Sequence, residues 1–244
     1  MKVIKLGGSL LDDASRRAAA LQKIVARWNA GEDLVLVHGG GKHIDAAMAK
    51  LGIAKRTHAG LRVTDDATLD VVVSVLGGTV NKMLVAELTA LGIRVAGISG
   101  CDGATLIAEK HADIDGIDLG NVGHVIGSNR ALVNALLISG TMPVISSIAI
   151  GKNGALFNVN ADSAASAIAV AHGAEELLFL TDVAGLLDGE GNVVPRLSAA
   201  DAHEFLINVS GGMKPKLQAA LTALTSGVSA ISIGEEGGTT LVAA

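Results

Sequence analysis

The chain has 244 residues and a net charge of -5, with 50% hydrophobic residues but only 2% aromatics, three prolines and a single cysteine. That length is enough for one large domain or two closely joined lobes around a real core. The acidic balance, with no Lys/Arg cluster carrying interleaved aromatics, excludes nucleic acid as the main partner and disfavours anionic membranes, and the lone Cys101 excludes an intrachain disulfide and a thiolate zinc site.

A core of Ala, Val, Leu and Ile suits parallel strands covered by helices on both faces. Taken in chain order, residues 3–6, 34–37, 95–98, 144–148, 177–180 and 230–233 read as core strands. Helical patterns fall at 14–29, 44–50, 67–91, 131–139, 163–172 and 214–225, with Gly77-Gly78 as the place where a break in the third would fall. This alternation predicts an α/β fold, a three-layer α/β/α sandwich around a mainly parallel open sheet, with ligands at the carboxyl ends of the strands. Segments 55–63 and 105–125 read as hairpins set on that frame. A composition change near His172-Gly173 divides an N-terminal lobe, 1–172, from a C-terminal lobe, 173–244, that shares the same sheet.

The chain opens on a strand rather than a basic and apolar leader, so a cytoplasmic location is expected. Mean hydropathy is high, +0.49. The apolar stretch 131–150 nevertheless carries Asn134, Gly140, Pro143, Ser146 and Ser147, which fits helix, turn and strand better than a membrane span. No transmembrane segment or membrane partner is expected.

The chemistry starts at Lys5-Leu6-Gly7-Gly8, where a lysine on a strand is followed by residues whose backbone can approach an anion closely. His38-Gly39-Gly40-Gly41 again puts glycines between a strand end and a helix start, a ready anion site. Neither turn has the P-loop or dinucleotide spacing, since His43 follows Gly41-Lys42, and protein-kinase motifs are absent. Arg62 stands just before Thr64-Asp65, either of which can cap the next helix. Its planar fork suits a carboxylate, with a surface pairing to Asp65 or Asp66 as the structural alternative.

Asn158, Asn160 and Asp162 share one face if their segment is extended, and form an Asx-rich turn otherwise. Thr181-Asp182 ends another aliphatic strand at the expected ligand edge. Gly211-Gly212 leads into a helix with Lys214 and Lys216 in its first turn, where lysine is unfavourable unless an anion sits nearby. The seven histidines show no metal-binding spacing, and only His38 adjoins these turns. No metal site is expected.

In this order the segments resemble the amino acid kinase superfamily, most closely its acetylglutamate kinases. The carrying blocks are Lys5-Leu6-Gly7-Gly8, His38-Gly39-Gly40-Gly41, Gly60-Leu61-Arg62-Val63-Thr64-Asp65, Ser99-Gly100-Cys101-Asp102-Gly103, Asn158-Val159-Asn160-Ala161-Asp162 and Gly211-Gly212-Met213-Lys214-Pro215-Lys216. The resemblance implies ATP-dependent phosphorylation of the γ-carboxylate of N-acetyl-L-glutamate, in arginine biosynthesis. It implies Lys5 and Lys216 on the transferring phosphoryl group, Asp162 holding both lysines, and amides from Gly7, Gly8, Gly40 and Gly41. Arg62, Asn158 and Asn160 would grip the substrate. Thr181, Asp182, Gly211 and Gly212 would lie on the ATP side, with Mg²⁺ held mainly through ATP phosphates. The N-terminal lobe would bind the amino acid and dimerise, and the C-terminal lobe would bind ATP.

Three departures qualify the resemblance. Lys42-His43 is bulkier than usual after the glycines, the segment 234–238 is shorter than in most relatives, and no extra helix precedes Val3. The last leads to the expectation of an arginine-insensitive homodimer. The alternatives are a kinase of N-succinylglutamate or of carrier-linked aminoadipate, and a ligand sensor without catalysis.

Overall fold

Each aliphatic run becomes a strand in the computed structural model, which describes residues 1–208, 213–234 and 238–242. The first half runs β1 (Lys2–Leu6), α1 (Gly8–Asp12), α2 (Ala14–Asn29), β2 (Leu34–His38), α3 (Gly41–Lys50), β3 (Thr57–His58), β4 (Leu61–Arg62), α4 (Asp66–Val73), a π-helical segment (Ser74–Val80), α5 (Asn81–Ala90) and β5 (Val95–Ser99). Next come β6 (Ile107–Lys110), β7 (Gly123–Gly127), α6 (Ala131–Ile138), β8 (Met142–Ser146), β9 (Ile148–Ile150), β10 (Leu156–Asn158) and α7 (Ala161–His172). The chain then forms β11 (Glu176–Leu180), β12 (Arg196–Ser198), α8 (Ala199–Asn208), α9 (Met213–Thr225), β13 (Ala230–Ile233) and β14 (Thr239–Val242).

Eight strands make the main sheet in the order β12-β14-β13-β11-β1-β2-β8-β5. All neighbours are parallel except β13 and β14. Because β11 pairs directly with β1, residues on both sides of His172-Gly173 belong to one sheet. Strand alternation sends Val3, Val37, Leu177 and Phe179 into one core with α7 and α9, and Ile4, Leu6, Leu36 and Val144 into another with α2 and α5. Full burial of a side chain such as Leu84, which is 0% exposed, contributes about 1.5–3 kcal/mol. Among the described residues no helix covers that face beyond α2: Leu178, Ser232 and Thr240 are only half-buried and line a hollow of about 500 Å³.

Both expected hairpins form: β3 pairs antiparallel with β4, and β6 with β7. The second belongs to a four-stranded sheet, β10-β9-β6-β7. The expected strand at 144–148 is two strands, because the chain leaves the main sheet after Ser146 and Ile148 starts β9. The helical pattern at 67–91 forms one helix, without a break at Gly77-Gly78. It passes through the π-helical segment and continues from Asp66 to Ala90, 25 residues in all. That helix is apolar and long enough to cross a membrane by composition. Here Leu76, Leu84 and Leu88 pack it into the core against the sheet.

Helix α8 and strand β14 were not marked by periodicity. A local signal for α8 existed: Ser198 precedes the helix as an N-cap, its Oγ accepting from Asp201 N at 3.1 Å while its hydroxyl donates to Asp201 Oδ2 at 2.6 Å.

Candidate active site

Strand β1 points Lys5 toward α7, and the first turn of α7 returns Asp162. Lys5 Nζ lies 2.9 Å from Asp162 Oδ1. From α9, Lys216 Nζ reaches the same carboxylate at 3.1 Å and 3.3 Å. The three residues are 7%, 6% and 7% exposed, in the order Lys5, Asp162, Lys216. Two ammonium groups on one carboxylate leave a net positive charge in a place where water screens little. Burial pushes the Asp162 carboxyl up, but Lys5 and then Lys216 outweigh it and hold the group below the usual range. Burial, helped by the charge of Lys5, lowers Lys216 against the pull of Asp162. The anion that a lysine near a helix start requires is, in this state, Asp162.

Beside this cluster lies a cavity of about 250 Å³ lined by Lys5, Gly8, Gly40, Gly41, Arg62, Asn158, Asn160 and Asp162, with Ile44, Leu61, Leu76, Val122 and Val159 as apolar wall. Gly40 precedes α3 and Gly41 opens it, so this helix start offers backbone N–H groups to the cavity. A Cβ on Gly40 would sit 2.9 Å from Leu76 Cδ2 and 3.2 Å from Val80 Cγ2. The π-helical segment therefore presses directly on the glycine turn.

Arg62 pairs with neither Asp65 nor Asp66. Its Nη2 donates to Asp45 Oδ1 and, at 3.1 Å, to the Gly41 carbonyl. Asp65 instead caps α4, accepting from Thr68 N at 2.9 Å, and pairs with Arg56. Burial raises the Asp45 carboxyl, but Lys55 and Arg62 overcome it and hold it below its ordinary range.

The segment around Asn160 is not extended throughout, so the one-face expectation for its three polar residues is corrected. Asn158 ends β10 and donates from Nδ2 to Thr64 Oγ1 at 3.1 Å. Asn160 caps α7, accepting from Asp162 N at 2.8 Å and Ser163 N at 3.1 Å. Asp162 is already helical. The turn still delivers all three to the cavity wall, because capping points α7 at it.

Of the paired glycines, Gly8 lines the cavity. The Gly7 amide is spent on the Leu180 carbonyl at 2.8 Å, which corrects the expectation that it would be offered to a ligand. Thr181 and Asp182 lie at the carboxyl end of β11 but line a neighbouring hollow of about 250 Å³ with Leu10, Arg16 and Lys23. The Asp182 carboxyl is held low, chiefly by the Ser9 hydroxyl. Gly211 and Gly212 lie outside the described residues. Among the described residues no group of three His, Cys, Asp or Glu could hold a metal ion.

Sequence reasoning missed Asp45, the partner of Arg62, and Asn81, which is fully buried against His38. Asn81 had a visible signal, an amide on the buried stripe of an apolar helix. Asp45 had none, being an ordinary helical carboxylate.

A family model for the amino acid kinase family matches residues 1–234. Acetylglutamate kinase of Methanopyrus kandleri is 44% identical over 93% of this chain and 92% of its own. The acetylglutamate kinase of Solibacter usitatus is 41% identical over 99% of both chains. Among solved structures, a Streptococcus mutans protein is 30% identical, with a TM-score of 0.89 over 99% of this chain and 98% of its own. Giardia lamblia carbamate kinase, 14% identical with a TM-score of 0.74 over 100% and 98% of the two chains, shares the fold. The chain belongs to the amino acid kinase family.

Proposed function

We propose that this protein is an acetylglutamate kinase, transferring the γ-phosphoryl group of ATP to the γ-carboxylate of N-acetyl-L-glutamate in arginine biosynthesis. The observation that carries the reading is the buried Lys5–Asp162–Lys216 cluster facing a cavity that also holds Arg62 and Asn158. A carboxylate oxygen attacks the γ-phosphorus, its bond to the β-phosphate oxygen breaks, and ADP leaves with that electron pair. The product is N-acetyl-L-glutamyl 5-phosphate. A side-chain carboxylate with an ordinary pKa of about 4.3 is already ionised at neutral pH, so no general base is required. What the reaction needs is charge neutralisation where two anions meet, which Lys5, Lys216 and the glycine amides would supply.

The amino-acid side is residues 1–172, with Arg62 on the α-carboxylate, Asn158 and Asn160 on the remaining polar groups, and Gly40 and Gly41 as amide donors. The nucleotide side is residues 173–244, with Thr181, Asp182, Gly211 and Gly212 around ATP. Mg²⁺ would be held mainly by the ATP phosphates, which suits a cavity whose lining carboxylate, Asp162, is already bonded to two lysines. A cytoplasmic location accords with ATP as substrate.

A homodimer accords with the edge strand β5, half-buried along its whole length, and with the partly buried Val73, Met83 and Val85 on the adjoining helix. Sedimentation at micromolar concentration tests this, and a monomer would refute it. Trapping with hydroxylamine tests the reaction: an acyl phosphate yields a hydroxamate, which must depend on both ATP and N-acetylglutamate.

A further inference from the structure

His38 is 0% exposed, sits at the end of β2 next to the glycine turn, and takes no part in the transfer described above. Its Nδ1 lies 2.9 Å from the Gly39 carbonyl and its Nε2 lies 3.1 Å from Asn81 Nδ2. The orientation of the Asn81 amide is fixed independently. Its Nδ2 also faces the Val144 carbonyl at 2.9 Å and the Ile98 carbonyl at 3.3 Å, and its Oδ1 accepts from Lys82 Nζ at 3.0 Å. An NH₂ group can only donate, so His38 Nε2 must accept, and the ring proton belongs on Nδ1.

We propose that His38 and Asn81 are positioning residues for the substrate-binding glycine turn: Asn81 fixes the His38 tautomer, and the His38 Nδ1–H holds the Gly39 carbonyl inward. In a trans peptide the following N–H points the opposite way. The Gly40 amide is thereby aimed away from the buried ring, on the side of the cavity that Gly39, Gly40 and Gly41 line.

Further features point the same way. Burial drives His38 down to about 4, beyond the opposing pull of the Gly39 carbonyl and with the help of Lys82 and His43, so the ring stays neutral at physiological pH. Asn81 directly follows the π-helical segment, whose Leu76 and Val80 brace Gly40 from the other side. Such segments recur at functional sites. Room for Asn81 is left by Gly97, where a Cβ would lie 2.0 Å from Asn81 Oδ1.

This inference rests on the reading that Gly40 contacts the acceptor substrate. Its test pairs two variants with a ring spectrum. Asn can place an amide N–H where Nδ1 stands, whereas Gln places it near Nε2. His38→Asn should keep the KM for N-acetylglutamate within about threefold of the parent, while His38→Gln should raise it about tenfold, the scale of one hydrogen bond to a charged group, with kcat changed less than KM. Equal KM values for the two variants would overturn the proposal. Long-range ¹⁵N–¹H correlation of the full-length protein should show His38 protonated on Nδ1 alone between pH 6 and 8, and an Nε2–H ring would overturn it whatever the substrate is. Failure of the parent protein to turn over N-acetylglutamate would refute the functional reading instead, leaving the ring spectrum to decide the tautomer.

Discussion

Lys5 Nζ lies 2.9 Å from Asp162 Oδ1, joining the first strand to the first turn of α7 across the centre of the sheet. Lys216 meets the same oxygen at 3.1 Å. The carboxylate holds two like charges together, and their excess positive charge is what an incoming phosphoryl group would meet. Removing Asp162 should therefore damage fold and chemistry at once. Asp162→Ala leaves two buried ammonium groups facing each other, and breaking a buried pair in this way costs about 3–5 kcal/mol. Denaturant unfolding should show a loss of that order, and a loss under about 1 kcal/mol would contradict the arrangement.

The pH dependence follows from the same cluster. The folded Asp162 carboxyl is held below its ordinary value by Lys5 and Lys216, despite burial. Such a group contributes stability above its unfolded pKa of about 3.9 and loses it as pH falls through the folded value. Stability should therefore drop steeply below about pH 4, and Asp162→Asn should flatten that drop. Lys216 gives a slope of the same sign at higher pH: burial and Lys5 depress it, so it costs stability while protonated, and that cost is relieved as pH rises through the folded value. Unfolding curves collected from pH 3 to pH 10 check both slopes.

Lys5→Ala should lower kcat about 10²–10³-fold, the usual scale for losing one group that stabilises developing charge. Its effect on the KM for N-acetylglutamate should be smaller. Arg62→Ala should do the reverse, raising that KM at least tenfold with a modest change in kcat. Arg62→Lys should not rescue it, because Asp45 and the Gly41 carbonyl orient a planar fork that an ammonium cannot reproduce. Steady-state kinetics with each substrate varied in turn would expose a swap of these roles.

The paired glycines separate a packing role from a ligand role. A Cβ on Gly7 would lie 2.9 Å from the Leu180 carbonyl oxygen, which is backbone and fixed in the sheet, whereas a Cβ on Gly8 would meet nothing within 4 Å. Gly7→Ala should lower the melting temperature by several degrees, on the order of 1–3 kcal/mol of overpacking. Gly8→Ala should leave the melting temperature nearly unchanged or raise it slightly, since Ala is the better helix former by about 1 kcal/mol, yet weaken ATP use. Thermal scans alongside the KM for ATP distinguish the two.

Where local chemistry and global packing agree, the sequence was readable. The β-branched run ending at Lys5-Leu6-Gly7-Gly8 is a strand entering a turn, and α2 spans Ala14–Asn29 as its periodicity demands, capped by Asp13. Legibility failed where packing overruled propensity. Gly77-Gly78 costs about 2 kcal/mol of helix propensity, yet the helix continues because its π-helical turn fills the space beside Gly40 and Ser99. The residues singled out by unusual local composition, namely Lys5, Gly8, Gly40, Gly41, Arg62, Asn158, Asn160 and Asp162, come together around one cavity, with Lys216 bonded to Asp162 beside it. Asp45 meets Arg62 only in the folded arrangement, and Asn81, though marked as a polar residue on an apolar helix stripe, gave no sign in the sequence that its partner is His38.

The measurement that bears most directly on the central claim is ADP release with N-acetylglutamate, N-succinylglutamate, glutamate and aspartate offered side by side with MgATP. A cavity lined by Lys5, Arg62 and Asn158 and served by the two buried lysines predicts turnover with N-acetylglutamate well above the other three. Equal silence with all four acceptors would contradict it.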